Sequence, residues 1–389
     1  MKVITFSQKV TVTTHHGEFF SEITCNPGER LIFDDDNAVS IQTKPGSATY
    51  MLEVSDLDAM LRERPPLAHY KKRRVLFYRN RGHGDQLIAS ALPRFFREVL
   101  GADARQLSDK VHESLWMANP YILGAPLSFP IHIDSVWRAK GRPFFDQAFF
   151  IESATEWDQD SEQPNVYDRL FAFCGIDPER VPAKYKRPVF IVSGDDQEAC
   201  ANWFGKVTGK DWQPYIIVQL RAANKSRSLP FKTTATVLQA VNDLAAKKGL
   251  LAFITDTRPW PDELAEISSR LPHLINVIQK IPSIRLFGAL IAGARLVVGP
   301  DSSALHFAAA NETPALGIWG PFSPECRAKY YPRQAHIWHQ EACLNAPCFN
   351  FMPELPTHKC PQGAKQQACE CFEGVTYDEV FGAMLDVMQ

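Results

Sequence analysis

The strongest constraint on the fold is an alternation that begins after Asp211. The apolar run "YIIVQLR" precedes the helical pattern "FKTTATVLQAVNDLAAKKG", and "LLAFITD" precedes "PDELAEISSRL". "LINVI" then precedes "SIRLFGALIAGA", "RLVVG" precedes "SSALHFAAAN", and "PALGIWG" follows. Strands that are apolar throughout, alternating with helices of 3.6-residue period, predict a parallel sheet covered on both faces. A second, shorter α/β pattern starts near Arg73, with "RRVLFYR", a turn at "GHGD" and one long helix over "DQLIASALPRFFREVLG". Strands are expected at "AFFIE" and "PVFIVSG", and a helix at "YDRLFAFCG". Open α/β sheets bind ligands at the carboxyl ends of their strands, so two such halves predict a cleft between them.

The first 55 residues read differently. Short runs rich in β-branched and aromatic residues are separated by "HHG", "NPG", "DDDN" and "KPGS", the pattern of a small antiparallel β-domain. "SDLDAMLRER" is expected to be a capped helix that Pro65 and Pro66 end. The predicted organisation is a β-rich segment with its linker helix over 1–70, one Rossmann-like half over 71–208, and a second over 209–389.

Composition narrows the function classes. Hydrophobic residues make up 45% of the chain and charged residues 22%, enough for a large core. A net charge of −2 without a long basic run disfavours nucleic acid as a partner, and "KKRR" at Lys71–Arg74 reads as a solvated strand entry. The start lacks the apolar core of a signal peptide, and no run reaches the roughly 18 apolar residues of a membrane span. A cytoplasmic protein with reduced thiols is the expectation, and nine cysteines, an odd number, do not suit a disulfide framework.

Chemistry concentrates where "RLVVG" ends. In "GPDSSALHFAAAN", Asp301 or Ser302 is a natural N-cap at the carboxyl end of a strand. The first turn of the helix leaves backbone N–H groups unpaired, and the macrodipole adds positive potential, which together suit a phosphate. Small side chains at Ser302, Ser303 and Ala304 allow close approach, and His306 on the first turn adds a donor. "GPFSP", which starts at Gly320, supplies a neighbouring loop of the same kind. Read alone, the stretch fits an ordinary capped helix equally well.

"GPDSSALHFAAANETPALGIWGPFSPE" also resembles the C-terminal signature of the heptosyltransferase family, glycosyltransferase family nine. "VLFYRNRGHGDQLIASALPRFFRE" resembles the strand, glycine turn, Asp and Pro-containing helix of the family's N-terminal motif. A weaker match is "VQLRAANKSRSLP", where Arg227 takes the place of the family's basic residue and Leu229 replaces a Trp. The resemblance implies an α/β chain of GT-B fold: two Rossmann-like halves facing a cleft, here with a small N-terminal β-domain. It further implies transfer of a sugar from a nucleotide-diphosphate donor to an acceptor hydroxyl, with inversion and without a catalytic metal. Asp85 takes the family's base role. Asp301, Ser302, Ser303, His306 and Gly320 then line the diphosphate site, and Lys225 and Arg227 supply its cations. A glycan, a lipid-linked sugar or a protein side chain is the expected acceptor, and the β-domain either binds it or builds a homo-oligomer. Two other readings compete: a non-catalytic nucleotide-sugar or glycan-binding protein on the same scaffold, and a sugar-nucleotide epimerase or hydrolase. The base recognised is left open, with backbone in "ITDTRPW" and "VIQKIP" available to read it.

Five cysteines crowd between Cys343 and Cys371, in the spacing Cys343-x4-Cys348-x11-Cys360-x8-Cys369-x-Cys371. Four thiolates can hold zinc or iron. Autotransporter heptosyltransferases, which this chain further resembles, carry a C-terminal four-cysteine finger that binds iron. That resemblance selects Cys343, Cys348, Cys360 and Cys371 as ligands of a structural metal, zinc or iron.

Overall fold

A computed structural model of the chain describes residues 70–79, 82–106, 119–121, 165–223, 226–343 and 369–389 in full, with Phe149, Ile151 and Ala346; of the further strands and the turn at Lys225 the backbone is described. The chain divides into two compact units. One comprises Met1–Asn80, Pro93–Glu113 and Tyr121–Ile151; the other comprises Arg81–Leu92, Ser114–Pro120 and Glu152–Gln389.

The first unit opens with six strands: β1 (Lys2–Thr5), β2 (Val10–His16), β3 (Phe19–Cys25), β4 (Arg30–Phe33), β5 (Ala38–Gln42) and β6 (Glu53–Asp56). All their pairings are antiparallel, in the orders β4-β1-β6 and β3-β2-β5. Ser55 and Asp56, expected to cap a helix, instead end β6; the rest of that expected helix lies outside the described residues. Next come β7 (Arg74–Tyr78), β8 (Asp103–Ser108), β9 (Ile122–Gly124), β10 (Ile131–His132), β11 (Arg138–Ala139), β12 (Arg142–Pro143) and β13 (Gln147–Phe150). A parallel sheet of order β13-β7-β8-β9 forms the α/β part of this unit. Val75, Leu76, Phe77 and Tyr78 are buried, as a central parallel strand requires.

The long helix expected after the glycine turn is two helices, α1 (His83–Ala89) and α2 (Ala91–Glu98). Pro93 explains the break. It has no N–H to offer the carbonyl of Ala89, and its ring would clash there, so it sits in the first turn of a new helix. Ser90 closes α1 by donating its hydroxyl to the carbonyl of Leu87 at 2.5 Å.

The second unit carries α3 (Val166–Phe173) and α4 (Gly194–Thr208) before its sheet. The segment "PVFIVSG", expected to be a strand, pairs with no strand among the described residues. Side chains meet its backbone instead: the N–H of Val189 donates to Ser90 Oγ at 2.8 Å, and Arg285 Nη2 donates to the carbonyl of Ile191 at 3.3 Å.

The sheet then alternates as its sequence pattern demands: β14 (Tyr215–Val218), α5 (Phe231–Lys248), β15 (Leu251–Ile254), α6 (Asp262–Ser269), β16 (Leu274–Asn276), α7 (Ile284–Ala292), β17 (Leu296–Gly299), α8 (Ser303–Asn311), β18 (Ala315–Trp319), α9 (Pro324–Arg327), β19 (Gln334–Trp338) and α10 (Tyr377–Val387). Gly249 ends α5 in the left-handed conformation, which costs glycine little. All six strands are parallel, in the order β16-β15-β14-β17-β18-β19.

Successive residues of a strand point to opposite faces. Ile216, Val218, Ile254, Val298 and Ile318 join one cluster with Val241 of α5 and Met384 of α10. On the other face, Tyr215 and Phe253 pack against Phe204 of α4 at ring distances of 5.8 and 5.6 Å. Each fully buried large aliphatic side chain contributes roughly 1.5–3 kcal/mol. Among the described residues no helix is long and apolar enough to cross a membrane.

In order of sequence the six strands run 3-2-1-4-5-6, so the direction in which successive strands are added reverses between β14 and β17. The crevice outside the carboxyl ends of those two strands is where such a sheet binds ligands.

Candidate functional site

Loops from the carboxyl ends of β14, β17 and β18 meet at this switch point. The loop after β14 carries the short 3-10 turn Lys225–Arg227. The loop after β17 carries Asp301 and opens α8. The loop after β18 runs from Gly320 to α9, and Ser323 caps α9 by accepting the N–H of Glu325 at 3.2 Å. Asn165 fixes α9 in place, donating to the carbonyl of Glu325 at 2.8 Å.

The centre of the cluster is Asp301, whose side chain is 2% exposed. Arg227 Nη1 donates to its Oδ2 and to its backbone carbonyl, both at 3.3 Å. Arg327 Nε lies 3.6 Å from the same Oδ2. Burial alone would raise the pKa of Asp301, but Arg327 and Arg227 hold the carboxyl below its ordinary value, so it is a buried carboxylate. Its Oδ1 is buried without a hydrogen-bond partner among the described residues, as is Oγ of Ser302. Ser302 stands at the N-cap of α8 yet makes no side-chain cap bond. Ser303 is the first residue of the helix. Asp301 therefore serves as an ion-pair partner and Ser302 takes the cap position, leaving that end of the helix with polar groups unspent.

His306 is 2% exposed. Its Nδ1 is 2.7 Å from the hydroxyl of Tyr331, which is 2.9 Å from the hydroxyl of Tyr167. Its Nε2 is 4.0 Å from Asp301 Oδ1. Burial pushes its pKa down to about 4, against the pull of the Asp301 and Asp85 carboxylates, so the ring is neutral near pH 7. It is a buried ring behind the helix terminus.

Asp85 is in the first turn of α1, in the same unit as Asp301. Its side chain is 28% exposed, and its Oδ1 is 3.7 Å from Nη1 of Arg327. Two glycines make this turn. Gly82 has φ 54°, and a Cβ there would run into Asp85 Oδ2. Gly84 packs its bare Cα against the ring of His306. The N-terminal glycine turn and the C-terminal helix thus touch directly.

Arg327, absent from the residues expected on sequence, joins the two motifs. Its side chain is 4% exposed, its guanidinium reaches both Asp85 and Asp301, and it stacks 5.0 Å over the ring of Phe322. The usable signal was its position, at the end of the short helix that follows the second Gly-Pro loop. Tyr167 and Tyr331 had no such signal. Gly320, expected at the donor site, follows β18 with its Cα against Phe372: a Cβ there would stand 2.6 Å from that ring. Lys225 opens the turn that ends in Arg227, but its side chain lies outside the described residues.

The two loops available for base recognition are tied together. Asp256 accepts from Arg221 Nε at 2.6 Å and Trp260 Nε1 at 3.1 Å, and its carbonyl accepts the N–H of Gln279 at 2.9 Å.

Of the expected metal ligands, Cys343 and Cys371 are buried in the core with Cys369, whereas Cys348 and Cys360 lie outside the described residues. A hydrogen bond from Cys371 lowers the pKa of Cys369. Among the described residues no three His, Cys, Asp or Glu side chains converge as a metal site. The described thiols by themselves do not fit a bound metal.

Solved structures resemble the chain throughout. Glycosyl transferase family 9 from Veillonella parvula DSM 2008 superposes with a TM-score of 0.58 at 10% identity, over 82% of this chain and 98% of that one. E. coli ADP-heptose lps heptosyltransferase II gives 0.58 at 15% identity, over 81% and 98%. The iron-containing dodecameric glycosyltransferase TibC from enterotoxigenic E. coli H10407 gives 0.53 at 14% identity, over 99% and 93%. At these identities the likeness shows the fold, an α/β architecture of the GT-B kind. No curated protein sequence matches the chain. The family description "Glycosyltransferase family 9 (heptosyltransferase)" matches residues 147–352, more than half of the chain and the part that holds Arg227, Asp301, His306 and Arg327. With its switch-point site and this match, the chain belongs to glycosyltransferase family 9.

Proposed function

We propose that the protein transfers a sugar, with inversion, from a nucleoside-diphosphate donor to an acceptor hydroxyl. The observation that carries the reading is that the Arg327 guanidinium lies close to both Asp85 and Asp301, residues of motifs far apart in sequence. The diphosphate sits at the N-terminus of α8, where unpaired N–H groups, the Ser302 hydroxyl and the guanidinium of Arg227 receive its charge. Ser303 and His306 complete the helix end, Gly320 its neighbouring loop, and Lys225 adds a cation. ADP-heptose is the first donor to test, because heptosyltransferase II is described as acting with ADP-heptose and TibC in complex with ADP-D-beta-D-heptose.

Asp85, the more exposed of the two carboxylates, accepts the proton of the acceptor hydroxyl as that oxygen attacks the anomeric carbon. The bond to the diphosphate oxygen breaks on the opposite side, and its electron pair leaves with the diphosphate. Positive potential at α8 and Arg227 stabilises the departing charge. One displacement gives inversion. The roles given to these residues require no metal. The acceptor is a glycan, a lipid-linked sugar or a protein hydroxyl, and the N-terminal strands are assigned to acceptor binding or self-assembly. Cys343, Cys348, Cys360 and Cys371 are assigned to a structural metal, supported by the iron-containing TibC; metal content of the purified protein, with Cys371→Ser as control, checks this.

The test is thermal stabilisation by ADP, GDP, UDP and ADP-heptose, on wild type and Asp301→Ala, followed by turnover of Asp85→Ala. One nucleotide should raise the melting temperature by mass action, less so in Asp301→Ala. Asp85→Ala should bind that donor and lose turnover. No shift by any nucleotide at millimolar concentration refutes the donor site; nucleotide binding with turnover untouched by Asp85→Ala refutes the base. Donor binding without any transfer would favour a binding protein.

A further inference from the structure

Behind the helix terminus a buried polar chain runs from His306 to two residues with no role in the transfer described above, Tyr331 and Tyr167. We infer that Tyr331, backed by Tyr167, is a positioning residue that locks His306 as the tautomer protonated on Nε2, with that N–H directed at Asp301. The inference rests on the donor-site reading only for what the lock does, not for its existence.

Two observations fix the direction of the chain. The first is at the Asp301 end. Nε2 of His306 is 4.0 Å from Asp301 Oδ1, a buried carboxylate oxygen without a hydrogen-bond partner among the described residues. A bare nitrogen lone pair facing that oxygen would set two electron-rich atoms against each other in a low-dielectric site. An N–H there turns its positive end to the carboxylate. The proton therefore belongs on Nε2, and Nδ1 is the acceptor.

The second observation is at the far end. With Nδ1 as acceptor, the hydroxyl of Tyr331 donates to it across 2.7 Å and accepts from the hydroxyl of Tyr167 across 2.9 Å. Both phenol protons are then used. In the reverse direction Nδ1–H would donate to Tyr331 and Tyr331 to Tyr167. The proton of Tyr167 would then be left, in a fully buried ring, without an acceptor among the described residues. An unmade buried hydrogen bond costs more than a made one gains. Burial raises the pKa of both phenols, so both remain donors.

The charged groups around the ring are Asp301, Asp85, Arg327 and Arg227, two of each sign. A neutral imidazole keeps that balance while still offering a donor. On the donor-site reading, the lock holds Asp301 oriented at the start of α8, so that loosening Tyr331 weakens nucleotide binding without removing a ligand to it.

The experiment is 15N NMR of histidine-labelled full-length protein, with His306→Asn to assign the ring, on wild type, Tyr331→Phe and Tyr167→Phe. ADP affinity is measured by calorimetry on the same samples. Wild type is expected to show His306 protonated on Nε2. Tyr331→Phe should give a mixture of tautomers and raise the Kd for ADP about five-fold, the size of one hydrogen bond. Tyr167→Phe should do less of both. A wild-type His306 protonated on Nδ1 overturns the inference, as does a Tyr331→Phe protein with an unchanged tautomer. An unchanged ADP Kd beside an altered tautomer overturns the link to binding. If Tyr331→Phe does not fold, the wild-type tautomer and Tyr167→Phe still decide. ADP that fails to bind wild type refutes the donor site instead, while the tautomer is read as before.

Discussion

Gly84 and His306 are in contact: a Cβ on Gly84 would stand 2.8 Å from Cδ2 of the His306 ring and 3.1 Å from its Nε2. One is in the N-terminal glycine turn that carries Asp85, the other on the helix that Asp301 opens. The ring cannot readily retreat, because Tyr331 holds its far nitrogen.

Gly84→Ala should therefore reverse the usual sign of its substitution. In an unobstructed helix, alanine gains about 1 kcal/mol over glycine. Here the added carbon should cost about 1–3 kcal/mol, as overpacking of a filled site does. Urea unfolding of the two proteins checks this, and equal midpoints would mean that the ring yields freely.

Stability should fall on mild acidification. The unfolded chain protonates a histidine near pH 6.5, whereas folded His306 does so only at about pH 4. Between those values the unfolded state binds the extra proton, so stability declines as pH falls and the loss is complete near pH 4. The shift corresponds to about 3 kcal/mol. Asp301, held below its ordinary value by Arg327 and Arg227, adds a loss in the same direction at still lower pH. Denaturant melts from pH 7.5 to 4.5 should show this slope, flattened in His306→Asn.

Arg327→Gln removes the cation that Asp85 and Asp301 share. Breaking one side of a buried ion pair costs about 3–5 kcal/mol, and here Arg227 still compensates Asp301 in part, so about 2–3 kcal/mol is expected. Adding Asp85→Asn should recover a fraction of it, because one fewer carboxylate then needs a partner. A strictly additive double mutant, measured by urea unfolding, would mean that Arg327 and Asp85 do not interact.

Arg227→Ala tests the donor site more directly. Loss of one charged hydrogen-bond donor should raise the Kd for ADP about 10- to 100-fold. Calorimetry at two salt concentrations checks it, and an unchanged Kd at both would move the diphosphate away from β14.

The regular part of this protein was legible in its sequence. Continuous apolar runs from Tyr215 to Trp319 announce central parallel strands, since only a strand buried on both faces has no polar side to show. The Asp, small residues and helix pattern after β17 announce a polar strand end, because capping chemistry is local. Asp85 and Arg227 are singled out by motif resemblance, which carries information that composition does not. What the sequence could not state was company. That Arg327 reaches both Asp85 and Asp301, that the hydroxyl of Tyr331 meets the ring of His306 while Tyr167 stands behind it, and that Gly84 is small because of a ring more than two hundred residues away, are all facts of tertiary packing. Periodicity records which face of an element is buried, and a cap records where an element starts; neither records which distant side chain fills the space opposite. The extended "PVFIVSG" shows the same limit, since its apolar pattern fits a strand but side chains, among them the hydroxyl of Ser90 and the guanidinium of Arg285, meet its backbone.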